Sequence, residues 1–457
     1  MSRLLVSGCA SVVTMDDAGT EWPGGSILVD DGVIEWVGPG DPPADRVAGA
    51  DVLDARGCVA LPGLVNTHHH LYQVLTRARA QQQGLFGWLT ELYPVWAGLD
   101  GEWVRVAAET GLAELALSGC SMSTDHHYVF PAGTGDLLDA EIGAARALGL
   151  RFHPGRGSMD LGASDGGLPP DRVTQDIDTI LADTEQAVSR FHDPSPGSML
   201  RVAVAPCSPF SASESLMRAS AELARRLGVR LHTHIAETAD EEAFCRERFG
   251  CRPVELLDQL GFLGDDVWLA HAVHLSPEDI RTFATTGTAV AHCPTSNLRL
   301  GSGMAPVREL VDAGVRVGLG VDGSASNDGG NLLGEAREAL LVARGRGGPA
   351  AMTVREAMRL ATRGGAACLG RDDVGSLEPG KRADVALFDV TGLASAGIEE
   401  DPVAGVVLAW PQRVRHLLVE GRFVVRDGAL TGIDEAALAA DAHRIARRIR
   451  AQGDGGR

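Results

Sequence analysis

The sequence predicts an α/β fold, a (β/α)8 TIM-like barrel carrying a small β-sandwich-like domain built from both termini. Three observations lead there. Between residues 61 and 374, short apolar strands alternate with amphipathic helices, the pattern of a parallel sheet. Eight strand candidates can be counted in that stretch: LPGLVNTHHH, CSMSTDHH, LRFHPGRGS, RVAVAPCS, VRLHTHIAE, VWLAHAVH, TAVAHCPTSN and VRVGLGVDG. Residues 1–60 and 375–457 read differently, as short β patterns punctuated by Gly, Asp and Pro, with a closing helix near 435–452. Eight β/α units in about 300 residues suit a barrel better than an open sheet. A doubly wound sheet is the alternative, but no GxGxxG follows the first strand.

The bounds agree with this division. A chain of 457 residues exceeds what one core usually supports. Acidic residues outnumber basic ones, 61 to 41, for a net charge of −20. A nucleic-acid backbone or an anionic membrane surface repels such a molecule, and the one Arg-rich stretch, Arg444 to Arg450, is short. The start, MSRLLVSGCASVVTMDD, is too broken for a signal peptide, and no run reaches the roughly 18 apolar residues of a membrane span. Eight scattered cysteines without a CxxC pair suggest a reducing, cytoplasmic setting. Lys381 is the only lysine.

The chemistry sits at the ends of the apolar runs. In a barrel, the C-terminal strand ends line the active site. The first strand ends in His68-His69-His70, and alternation puts His68 and His70 on one side. Two imidazoles so placed can chelate one metal. The fifth run brings His232 and His234 to one face, with Glu237 on the following turn. The sixth holds His271 and His274, and the eighth ends in Asp322. Each piece has a plainer reading. His232, His274 and His292 are equally well hydrogen-bonded core histidines, and His153, His192, His416 and His443 read as structural or exposed. The joint pattern is far more specific than any one part.

That constellation resembles the amidohydrolase superfamily over nearly the whole chain. PGLVNTHHH, HIAET, LAHAVHL and GLGVDG are similar to its first-, fifth-, sixth- and eighth-strand motifs, and GSLEPGKRADVALFDV to the return into its small β domain. The resemblance implies that His68, His70, His234 and Asp322 ligate one divalent metal, with Glu237, His271 and Asp322 catalytic. Binuclear members bridge two metals through a lysine of the barrel. Lys381 lies beyond the eighth strand, so the resemblance implies a mononuclear centre, Zn or Fe(II).

Within the superfamily, the likeness is to the deaminase and chlorohydrolase branch. Trp88 in FGWL falls where relatives place a substrate-facing tryptophan, although it reads equally as core. Gln73 matches a glutamine that contacts the purine in guanine deaminases. The arginine those enzymes carry after strand four is missing from APCSPFS. STDHHYVFP, GSMDLGASDGGLPPD, HCPTSNLRLGSG and DGSASNDGGNLL resemble loops of 8-oxoguanine deaminases and hydroxyatrazine ethylaminohydrolases. Loops carry specificity. His126, His127, Tyr128, Cys207, Cys293 and Asn297 are therefore expected around the substrate. Cys207 and Cys293 also read as packing residues, and Asn297 as a helix cap. The expected activity is deamination of an oxo-purine-type heterocycle, 8-oxoguanine foremost. A triazine-type hydrolase and an isoxanthopterin deaminase are the alternatives within the superfamily, and an inactive binding barrel is the alternative outside catalysis. A small heterocycle is the expected partner, and relatives suggest a homo-oligomer.

Overall fold

The computed structural model describes residues 3–409 and 412–454. Its centre is a closed, all-parallel eight-stranded barrel. The strands are β1 (Leu64–Asn66), β2 (Cys120–His127), β3 (Arg151–Ser158), β4 (Ala203–Pro206), β5 (Leu231–Ile235), β6 (Val267–His271), β7 (Ala289–His292) and β8 (Val317–Leu319). Closure is made where Leu319 of β8 pairs with Asn66 of β1. All eight expected runs therefore became barrel strands. Each strand is buried along its length because both faces are covered, the inside by the barrel filling and the outside by helices.

The helices start and stop where local chemistry dictates. Ser213 accepts the Leu216 N–H and caps the helix Glu214–Leu227, which ends at left-handed Gly228. At the N-terminal end of the barrel, Met122, Ala203, Trp268, Ala289 and Ala291 pack on Ala366, Cys368 and Leu369, closing that mouth with apolar side chains. The opposite mouth is left for polar groups.

Two further sheets flank the barrel. A seven-stranded sheet pairs Cys58–Pro62 antiparallel with Val385–Asp389, which joins the two ends of the chain. A four-stranded sheet is built from the N-terminal segment alone, between residues 4 and 54. The two sheets bury their apolar faces against each other, Leu4, Val6, Ile27 and Val29 of one packing with Ala60, Val385, Leu387 and Leu418 of the other. The chain crosses from sheet to barrel at Gly63, where a Cβ would meet Ser121 Oγ at 2.3 Å. The closing helix, Glu435–Asp454, buries Ile445 and Ile449 in the cluster that holds Trp103 and Trp96 of the barrel's own helices. Arg444 and Arg448 pair with Glu102 beside them. No helix among the described residues is long and apolar enough to cross a membrane.

Candidate active site at the C-terminal mouth of the barrel

Parallel strands deliver their last side chains to one end, so residues far apart in sequence converge there. His68 and His70 follow β1, His234 lies in β5, His271 closes β6 and Asp322 follows β8; all are buried. His271 and Asp322 leave their strands with φ of 72° and 62°, as does Ala236 after β5 at 49°. These left-handed residues cost about 1 kcal/mol or more each and persist because neighbours hold them. Asp322 N–H donates to the His68 carbonyl at 3.0 Å. Glu241 accepts the backbone N–H groups of Ala236 and Glu237 at 2.9 and 2.8 Å.

The hydrogen bonds determine which ring nitrogens carry protons. His70 Nδ1 faces the His126 carbonyl at 2.8 Å, and His234 Nδ1 faces the Cys207 carbonyl at 2.6 Å. A carbonyl only accepts, so both Nδ1 atoms are protonated. Burial holds both rings neutral, pushing their pKa values down, so each Nε2 is a bare lone pair. Yet those two Nε2 atoms stand 3.1 Å apart. Asp322 Oδ1 is 3.4 Å from His68 Nε2 and 3.3 Å from His70 Nε2. Two lone pairs and a carboxylate oxygen at these separations repel unless a cation lies among them. Donors about 2.0–2.1 Å from one tetrahedral zinc would themselves lie about 3.3 Å apart. The donor set fits a divalent metal on chemistry, and these three separations match that spacing.

A small cavity opens above this cluster. His70, His234, Glu237, His271 and Asp322 form its floor. The Glu237 carboxyl is pushed up to about 7, chiefly by burial, and its Oε2 lies 3.6 Å from His271 Nε2. Burial alone would depress His271, but the Glu237 and Asp322 carboxylates outweigh it and raise it. Gln73, Trp88, Cys207 and Tyr128 are on the wall. Gln73 is fully buried, and neither its Oε1 nor its Nε2 has a protein partner among the described residues. The Trp88 ring lines the cavity. It also packs in the core, with Nε1 donating to the Ala325 carbonyl at 3.0 Å. The Cys207 thiol, pushed up to about 12 by burial, stays protonated.

Other expected substrate neighbours lie off the cavity wall. His126 sits behind it, its ring stacked on His234 at 4.7 Å and its Nε2 donating to the Ala205 carbonyl at 2.8 Å. Asn297 is also one layer back, where its Oδ1 accepts from His271 Nδ1 at 2.9 Å. Both positions follow from strand alternation and from the short helix Pro294–Arg299 after β7, which aim these side chains at neighbouring histidines instead of the opening. His127 points to Glu141 at 2.7 Å, and Cys293 is packed.

Four contributors went unnoticed in the sequence. Ser296 and Ser326 donate to Asp322 Oδ2 at 2.5 and 2.9 Å. Glu335 accepts from Thr295 N–H at 3.2 Å and Asn327 Nδ2 at 2.8 Å, tying together the turns after β7 and β8. Glu241 alone had a sequence signal, the capping spacing from Thr238.

Comparison with known proteins agrees with this geometry. The Amidohydrolase family matches residues 59–424. The chain is 48% identical over 448 residues to an 8-oxoguanine deaminase of Pseudomonas aeruginosa, covering 98% of each. It is 40% identical over 467 residues to a hydroxydechloroatrazine ethylaminohydrolase of Pseudomonas sp. (strain ADP), covering 98% of this chain and 96% of that one. An atrazine chlorohydrolase from Arthrobacter aurescens TC1, solved complexed with zinc, superposes with a TM-score of 0.92 at 36% identity, covering 97% of this chain and 100% of that one.

Proposed function

The chain belongs to the amidohydrolase family and is a hydrolase acting on C–N bonds, and from that premise we propose that it deaminates 8-oxoguanine to urate and ammonia with one divalent metal. His68, His70, His234 and Asp322 hold the metal. Zinc is the first choice, on the zinc-bound neighbour, and Fe(II) the second. When bound, such a metal acidifies water toward neutrality and supplies Lewis acidity at the cavity floor.

The remaining steps belong to the protein. Glu237 enters protonated and gives its proton to a ring nitrogen of the substrate, which makes the adjacent amino-bearing carbon electrophilic. Water adds to that carbon while Asp322 takes its proton. His271 stabilises the charge that develops on the added oxygen. The carboxylates pass protons on to the amino group, the C–N bond breaks, and ammonia leaves as the carbonyl forms. The observation that carries this reading is Glu237: a buried carboxyl poised near 7, beside His271 and the metal-fitting donors, on the floor of the cavity.

The unpartnered Gln73 amide supports an oxo-purine over an apolar ring. One donor and one acceptor match an N–H/C=O edge, and an analogue lacking that edge would leave both buried and unpaired. The likeness to an 8-oxoguanine deaminase favours that base. The likeness to an ethylaminohydrolase supports a second reading, release of an alkylamine from a triazine. Zinc-loaded protein offered 8-oxoguanine, guanine, isoxanthopterin and an ethylamino-triazine distinguishes them. Ammonia chiefly from 8-oxoguanine is the expected outcome. Ethylamine release with no ammonia from any purine would move the reading to triazines.

A further inference from the structure

We infer that His232, which lies off the cavity wall and behind the metal ligands, is a positioning residue that selects the metal-binding tautomer of His68. The inference rests on the metal reading above. His232 lies in β5, almost fully buried, with its ring stacked on Trp268 at 4.3 Å and 16°. Trp268 is in turn pinned by its indole N–H donating to the Thr67 carbonyl at 2.9 Å.

The argument is a chain of protons. The Trp268 carbonyl lies 2.7 Å from His232 Nδ1, so that nitrogen bears the proton. A neutral imidazole has only one, and His232 lies buried between the Trp268 carbonyl and the His68 ring, with no carboxylate paired to it among the described residues. Its Nε2 is therefore an acceptor. His68 Nδ1 stands 2.9 Å from it, and the only proton that can make this contact a hydrogen bond is on His68 Nδ1. His68 Nε2 is left bare, buried and without a hydrogen-bond partner among the described residues, facing Asp322.

The relay has a competitor. His68 in its other tautomer would place an N–H at Nε2, within 3.4 Å of Asp322 Oδ1. That proton would occupy the place of the metal and satisfy the carboxylate. His70 and His234 are protected from this outcome by backbone carbonyls, which cannot change their role. His68 alone among the three depends on another side chain, so a single substitution can remove its bias. Partners of this kind typically change metal affinity by about 10- to 100-fold.

Two variants separate the proton relay from packing. His232→Phe keeps a ring against Trp268 and removes the acceptor. His232→Gln restores an acceptor oxygen. Zinc affinity of the stripped proteins is read by competition with a chromophoric chelator, with thermal melting as the check on folding. The expected result is zinc binding weakened about 10- to 100-fold in His232→Phe and largely recovered in His232→Gln. A folded His232→Phe that binds zinc like the parent overturns the inference. Should His232→Phe fail to fold, ring-¹⁵N resonances of the histidine-labelled, metal-free parent decide it. A proton on His68 Nδ1 supports the relay, and a proton on Nε2 overturns it. A parent that binds no zinc overturns the metal reading of the site, and the resonances of the metal-free parent still test the tautomer separately.

Discussion

The two ends of the barrel use buried polar groups in opposite ways. At the N-terminal end, Arg151 opens β3 fully buried, and each of its side-chain nitrogens has an oxygen partner. Nε and Nη2 grip Asp384 at 2.7 and 3.0 Å, Nη1 donates to the Gly197 carbonyl at 2.7 Å, and Glu420 completes the set. Asp384 and Glu420 come from the flanking sheet, so this cluster ties sheet to barrel. At the C-terminal end, His68 Nε2, both amide atoms of Gln73 and His126 Nδ1 have no partner among the described residues. Buried polar atoms left unpaired cost about 1–3 kcal/mol each. The Arg151 cluster is satisfied within the chain, whereas His68 Nε2 and the Gln73 amide face groups the chain does not itself contain.

The contrast can be broken experimentally, and the largest effect is expected at the metal seat. Asp322→Ala should lose metal and lower turnover by on the order of 10³-fold or more. Metal content by atomic absorption and ammonia release are the measurements, and full occupancy at full rate would remove Asp322 from the site. Chelation of the parent should abolish turnover, and added zinc should restore it.

Glu237→Gln should keep its metal and lose about 10²–10⁴-fold in kcat, because an amide has no proton to give. The same residue sets the pH dependence. Glu237 acts protonated and its carboxyl sits near 7, so kcat/KM should fall about tenfold per pH unit above that value. Retention of the parent's alkaline limb in Glu237→Gln would assign the titration to another group.

At the opposite mouth, Arg151→Ala should cost stability instead of chemistry. Removing one partner of a buried ion pair typically costs about 3–5 kcal/mol. The melting temperature should drop while turnover per folded, metal-loaded molecule stays near the parent's. A loss of kcat at full occupancy would mean that the two ends are coupled.

The smallest effect sharpens the claim about Gln73. A Cβ at Gly323 would come within 1.9 Å of Gln73 Oε1. Gly323→Ala should displace that amide and raise KM for an oxo-purine roughly tenfold, the weight of one polar contact to substrate, with zinc affinity unchanged. An unchanged KM would take Gln73 off the substrate.

Much of this was legible in one dimension. Parallel strands repeat the same grammar, an apolar run ending in a polar residue, and period-two alternation already puts His68 beside His70. Glu237 and His271 were legible because the turn that follows each strand stays close to it in sequence. His126 and Asn297 were not, because a side chain at a strand end can face the opening or the next strand, and adjacent residues do not distinguish the two.

By itself, then, the sequence determined the eight-unit barrel, the motifs at its strand ends and the absence of a barrel lysine, all of which are local patterns. Only the tertiary structure decided which nitrogen of each histidine is bare. That depends on carbonyls and rings brought in from other strands: the Cys207 carbonyl for His234, the His126 carbonyl for His70, and His232 for His68. A proton's position on an imidazole is set by what its other nitrogen touches, and residues that meet across a closed barrel lie far apart in sequence, 164 residues in the case of His68 and His232.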